Sequence, residues 1–226
     1  MYWVKLTLPN DWDDKSEDNK AKVIHEASTY LGQYFAHTSM IWHEIITWYG
    51  YSSTGIFPEH ISSFSWEDTY SDILGTNLAV EALLTNASDF DTTITRLIDR
   101  TMNELDVQSA KVAKQAANQI KGEWFTGNMY IFVNMKKHNF DVGFSDGHVT
   151  PLLVPGICPD AEVVACPTPD LKFLKRLGMK MHLEIEPKSM ERNKIFREIN
   201  LAKEIDRMEP MVHFPQILGK ISSKTD

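Results

Sequence analysis

A histidine and a glutamate stand side by side in the most aromatic stretch of the chain, Trp42-His43-Glu44-Ile45-Ile46-Thr47-Trp48-Tyr49-Gly50. On a helix this pair invites comparison with zinc hydrolases, where histidines at i and i+4 hold the metal and an intervening glutamate activates water. Here the position four beyond His43 is Thr47, so half of that motif is missing. His37 does not replace it, because six residues of helical rise put it roughly 9 Å from His43 along the axis. A different set follows from spacing. His37, Glu44 and Tyr51 step by seven, and Met40, Glu44 and Thr47 by four and three, so they share one stripe of a helix. If the next helix packs there, its first turn brings Glu67 and Asp68. One imidazole with two or three carboxylates would suit a divalent metal such as zinc, or an acid–base pair. In that hydrolase-like site Glu44 acts as general base or ligand and His43 as ligand or proton carrier. Glu67 completes the catalytic set, and Asp68 and His37 complete the metal set. A carboxylate between Trp42 and Trp48 would need a compensating partner. The competing explanation is structural: a histidine among aromatics packs as a hydrogen-bonded core residue, and acidic residues favour a helix N-terminus for its dipole.

A second polar cluster is Asp141-Val142-Gly143-Phe144-Ser145-Asp146-Gly147-His148. Its residue types suit hairpin turns. The functional alternative sets Asp141, Asp146 and His148 at the rim of a pocket, contacting substrate. No phosphate-binding glycine loop, dinucleotide fingerprint or serine-nucleophile elbow is present. Cys158 and Cys166 are the only cysteines. Two thiols cannot build a four-cysteine zinc site, and their spacing fits either a loop-closing disulfide or two free thiols.

These residues must be positioned by elements whose periods are readable. Extended alternation runs from Tyr2 to about Leu8. Ile24, Ala27, Leu31, Phe35, Ile41, Ile45 and Trp48 then mark a long helix over about 19–49, ended by Gly50. Ser65 looks like the cap of a helix reaching about 85. Further helices are expected over 89–105 and 109–120. From Trp124 the period turns extended, with strands over 129–133, 140–144 and 149–154 forming a three-stranded meander turned at Asp146-Gly147. A short helix over 170–177, a strand over 179–185 and helices over 190–205 and 214–221 complete the chain. The predicted class is α+β, an N-terminal helical bundle packed with a small antiparallel sheet. We expect a single domain over 1–226, helical over about 19–121 and sheet-containing over about 124–226.

The 226 residues carry 23 Lys and Arg against 31 Asp and Glu, a net charge of −8, and 42% hydrophobic residues with six Trp. A real core is therefore expected, and nucleic-acid binding is disfavoured by charge. No apolar run approaches the ~18–20 residues of a membrane span, so no transmembrane segment is expected. Residues 1–9 lack the continuous apolar segment of a signal peptide.

The strings Trp42-His43-Glu44-Ile45-Ile46-Thr47-Trp48-Tyr49-Gly50 and Ser63-Phe64-Ser65-Trp66-Glu67-Asp68-Thr69-Tyr70-Ser71-Asp72-Ile73-Leu74-Gly75 resemble the bacterial domain-of-unknown-function family 4056. Residues 140–143, 146–151, 154–156 and 183–187 are similar to it too. The resemblance implies an uncharacterised protein of the bacterial periplasm or envelope, here N-terminally shortened, and supplies no activity. Two functions are thus expected to compete. One is the metal-assisted or acid–base hydrolase-like site. The other is a non-enzymatic envelope module that binds a partner or glycan, with His43 inside a buried polar network.

Overall fold

The computed structural model describes residues 1–52, 59–85, 89–128, 131–199 and 206–224. In chain order the elements are β1 (Tyr2–Thr7), α1 (Glu17–Trp48), α2 (Asp68–Leu84), α3 (Phe90–Glu104), α4 (Ala110–Ile120), β2 (Phe125–Asn128), β3 (Ile131–Met135), β4 (His148–Val149), β5 (Cys166–Pro167), α5 (Lys172–Arg176), β6 (Lys180–Ile185), α6 (Ser189–Glu198) and α7 (Pro210–Ser222). The fold is α+β: a run of α-helices follows β1, and the described strands pair into small two-stranded antiparallel sheets. The chain divides into two compact units, Met1–His60 with Pro169–Asp226, and Ile61–Thr168. Each unit holds both helices and strands, so the division does not follow the helical and sheet-bearing halves of the sequence.

In the first unit, β1 pairs antiparallel with β6 from Tyr2 opposite Ile185 to Thr7 opposite Lys180. Helix α1 starts earlier than its apolar period suggests, because Ser16 accepts a hydrogen bond from the Asn19 N–H and Glu17 and Asp18 favour the first turn. Its other end is a Schellman closure. Gly50, at φ 92°, donates to the Thr47 carbonyl, and Tyr51 donates to that of Ile46. The helix therefore stops before Tyr51, which does not continue the stripe of His37 and Glu44. Helix α5 packs on α1 through Ala27, Phe173, Leu174 and Met179. Helix α7 begins at Pro210 rather than near Phe214, since Pro210 takes the first helical position, where a missing N–H costs nothing. Phe214 stacks on Trp42 with centroids 5.9 Å apart. Residues 200–205, the end of the helix expected over 190–205, lie outside the described residues.

In the second unit, α2 and α3 pack through Leu78, Ala82 and Leu97. The β4–β5 pair lies on α2, where Ile73, Val149 and Cys166 are buried together. Ile120, Trp124 and Phe125 form a further cluster with Trp66, Leu152 and Val154. The expected meander is replaced by two separate pairs. β2 joins β3, and β4 joins β5; Met129 and Tyr130 lie outside the described residues. Segment 140–144 is not a strand. Side chains capture the backbone donors a ladder would need: Asn139 Oδ1 accepts from the Asp141 N–H at 3.1 Å, and Asp141 Oδ1 from the Gly143 N–H at 3.1 Å.

Gly143 is required at its position. It sits at φ 79°, and a Cβ there would lie 2.2 Å from Thr168 Cγ2. Gly143→Ala is expected to cost about 2 kcal/mol or more, from left-handed backbone strain and overlap. In a Thr168→Ser background, which removes Cγ2 but keeps Oγ1 and Cβ at 3.1 and 3.2 Å, the loss should shrink toward roughly 1 kcal/mol. Urea midpoints of the four proteins measure it, and an unchanged loss in that background would remove Thr168 as the obstacle. Both cysteines are free, Cys158 exposed and Cys166 buried. Burial pushes the Cys166 thiol up, opposed by the Asn77 amide, which donates to its Sγ at 3.1 Å.

Candidate functional site

The buried stripe of α1 comprises Ala27, Thr29, Tyr34, His37, Thr38, Ile41, Trp42, Ile45 and Thr47. His37 falls on it and is 5% exposed. Burial pulls its pKa down to about 4, so the ring is neutral near neutral pH. His43, by contrast, is exposed, which overturns its expected place in a buried network. Glu44 is half-buried and partnered. Adjacent residues on a helix project roughly 100° apart, so His43 and Glu44 do not face one reaction centre by virtue of their sequence adjacency.

Glu67 and Asp68 belong to the other unit, Ile61–Thr168. Glu67 is the residue before α2 and makes no side-chain capping bond. Although the residue is exposed, local desolvation holds its carboxyl above the ordinary range, and the Asp68 charge adds to this. Asp141, Asp146 and His148 are occupied in turns. Asp141 bonds the Gly143 N–H, and Asp146 Oδ1 accepts from the His148 N–H at 2.9 Å. Among the described residues, no three His, Cys, Asp or Glu side chains are grouped as a metal ion requires. His37, His43 and Glu44 lie in the first unit and Asp68 in the second.

The densest unsatisfied chemistry lies elsewhere, in two segments of the second unit. Ser65 does not cap α2 as its identity suggests; a single β-bridge pairs it with His138 instead, and the helix starts three residues later. The Asn139 N–H donates to the Phe64 carbonyl at 2.8 Å, and His138 Nδ1 bonds the Ser63 carbonyl at 2.8 Å. A carbonyl only accepts, so Nδ1 carries the proton. Aromatic rings surround the bridge: His138 stacks on Phe140 at 5.8 Å, Phe140 meets Phe64 at 5.1 Å, and Trp66 meets Trp124 edge-on at 5.3 Å. Phe64 is fully buried at φ 52°, a conformation that bulky side chains rarely adopt.

Within this bridge three buried polar atoms, Ser65 Oγ, Trp66 Nε1 and Asn139 Nδ2, have no protein hydrogen-bond partner. A Ser65 side-chain hydrogen bond to Glu67 draws that carboxyl down, although Oγ has no partner at strict hydrogen-bond geometry. Native proteins leave few such groups, because each costs desolvation without return. Sequence reasoning missed this grouping. Ser65 and Glu67 read as helix-start residues and His138 stands outside both polar clusters, and only the long-range bridge joins them.

No curated protein and no solved structure matches the chain. A family model matches residues 10–141, more than half of the chain, a span that takes in α1 and both bridged segments. The chain belongs to the family described as Protein of unknown function (DUF4056).

Proposed function

We propose that this protein is a non-enzymatic binding module, its site centred on the bridged segments 63–67 and 138–141. The observation that carries the proposal is the set of three buried, unpartnered polar atoms on Ser65, Trp66 and Asn139. Groups held ready for a ligand are characteristically left unsatisfied in the free protein, at a cost to its stability. The acid–base reading of α1 has less support, since His43 is exposed and Glu44 is already engaged. The setting in a bacterial envelope is part of the proposal and rests on the family resemblance alone.

The test is Ser65→Ala. If Ser65 is reserved for a ligand, removing its buried hydroxyl should raise the stability of the free protein by about 1 kcal/mol, a rise of roughly 2–4 °C in Tm for a chain of this size. A loss of about 1 kcal/mol or more would mean that the hydroxyl holds the fold together, and would overturn the binding reading. Scanning calorimetry at pH 7 measures either result.

A further inference from the structure

Independently of that binding site, we infer that two copies of this chain associate through the open edge of β1, paired antiparallel about a two-fold axis at Val4. The phase of the β1–β6 ladder identifies that edge. The Met1 amino group donates to the Glu186 carbonyl at 2.7 Å and the Glu186 N–H to that of Met1 at 2.8 Å, so these two are a hydrogen-bonded pair. Alternation then turns the backbone groups of Trp3, Lys5 and Thr7 toward β6, and those of Tyr2, Val4 and Leu6 away from it. The far side of β6 agrees, since Ile185, opposite Tyr2, exchanges both of its backbone bonds with Met208. Among the described residues no strand joins β1 on its outer side.

The same alternation sorts the side chains. Tyr2, Val4 and Leu6 stand opposite Ile185, Leu183 and Met181, so they extend one apolar face outward from β6. Ile185 and Leu183 are buried, whereas Tyr2, Val4 and Leu6 are 40%, 48% and 41% exposed. A row of exposed apolar side chains along an unpaired edge is a template for another strand. The other face carries Trp3, Lys5 and Thr7. Trp3 is held in place there: its indole N–H donates to Glu186 Oε2 at 2.8 Å, and the Arg207 guanidinium lies over its ring at 3.7 Å. At that end Arg207 is shared between two carboxylates, Glu184 at 3.2 Å and Glu186 at 3.7 Å. The opposite end bears Lys5 and Lys180, and Lys5 makes no ion pair among the described residues.

These features select a second copy over an arbitrary strand. With Val4 opposite Val4, Tyr2 meets Leu6 on the apolar face, and the outward backbone groups form about six hydrogen bonds. On the other face Lys5 of one copy falls directly opposite Trp3 of the second copy. That is the close spacing of a non-hydrogen-bonded pair, where an ammonium reaches the indole. The carboxylate end of each copy then faces the lysine end of the other. Moving the axis to Lys5 would oppose two ammonium groups, and moving it to Trp3 would leave about four bonds. The assembly also closes at two, because the outer strands of the resulting β6–β1–β1–β6 sheet are both β6, met at Ile185 by Met208.

Sedimentation velocity on the full chain, from about 1 to about 200 μM, tests the interface. A monomer–dimer equilibrium is expected with Kd on the order of 10 μM, because one strand pair buries less than a standard interface. Val4→Lys and Val4→Glu each set like charges across the axis and should weaken the dimer about tenfold or more. Their near-UV circular dichroism should match the wild type, since Val4 lies at an exposed edge. An equal mixture of the two variants should recover the dimer, because the opposed charges then attract. Lys5→Glu, on the other face, should weaken association too, and this arm does not depend on how Val4 packs. A chain that stays monomeric throughout, or a dimer that none of the three variants weakens, would overturn the inference. A mixture that fails to recover would overturn the axis at Val4, and species larger than a dimer would overturn the closed pairing.

Discussion

Phe214→Ala is expected to destabilise the unit formed by Met1–His60 and Pro169–Asp226 by about 3–5 kcal/mol, the range for deleting a buried aromatic ring. Phe214 has no exposed surface, and its ring lies nearly parallel to Trp42, at 9° and 5.9 Å between centroids. Truncation removes the apolar transfer term and leaves a cavity beside the indole. An additional loss of about 0.5–1.5 kcal/mol is expected for the ring pair itself. Phe214→Leu, which fills most of the space, should cost less than half as much. Near-UV circular dichroism reads the change directly, because Trp42 is in the perturbed contact. Urea midpoints at an unchanged slope give its magnitude. A loss below about 1 kcal/mol for Phe214→Ala would show that α7 is not anchored through this residue.

What is visible in the sequence and what is hidden divide along the range of the interactions. Helix α1 is readable because its apolar period, its acidic first turn and Gly50 are all local signals that agree. The same holds for α3 and α4, whose caps Asp89 and Ser109 accept from backbone N–H groups two and three residues on. β6 is visible as an alternating run, and β1 with it, although their antiparallel pairing across most of the chain is not. The meander fails because Asn139, Asp141 and Asp146 compete for backbone donors over 139–148, and an apolar alternation does not register that competition. The start of α2 fails for a related reason. Ser65 has the right identity for a cap, but pairing with His138 holds it in an extended bridge.

The candidate site is legible in fragments. The string from Ser63 to Gly75 stands out in the sequence, and so does Asp141, but their carboxylates are the conspicuous groups and their neutral donors are not. Periodicity marks which face of an element is buried; it does not state whether a buried hydroxyl or amide will find a partner. That depends on the residue across the bridge, seventy-three positions away in sequence, between Ser65 and His138. The histidines on α1 illustrate the same limit. His37 and His43 are both in an aromatic helix, and a six-residue offset sends the first inward and the second to solvent.

That inward placement makes acidification a sensitive probe of the first unit. His37 has its folded pKa pulled down to about 4 by burial, below the 6.5 expected for an unfolded chain. Above pH 6.5 neither state carries the proton, and His37 contributes no slope. As pH falls from 6.5 toward 4, the unfolded chain takes up a proton that the folded one refuses, so stability declines. Each tenfold difference in proton affinity is worth about 1.4 kcal/mol, so the full loss is about 3 kcal/mol, complete near pH 4. Below that value both states are protonated and the slope from this group disappears. His37→Leu retains an apolar side chain and abolishes the titration. The difference in unfolding free energy between wild type and His37→Leu should therefore be level above pH 6.5 and move steadily against the wild type below it. Carboxylates such as Asp11 and Asp89 also titrate in acid, but they are common to both proteins and cancel in the difference. Parallel stability curves from pH 7 to 4 would mean that the ring finds a proton-accepting partner or water on protonation, and that its burial is not a source of acid lability.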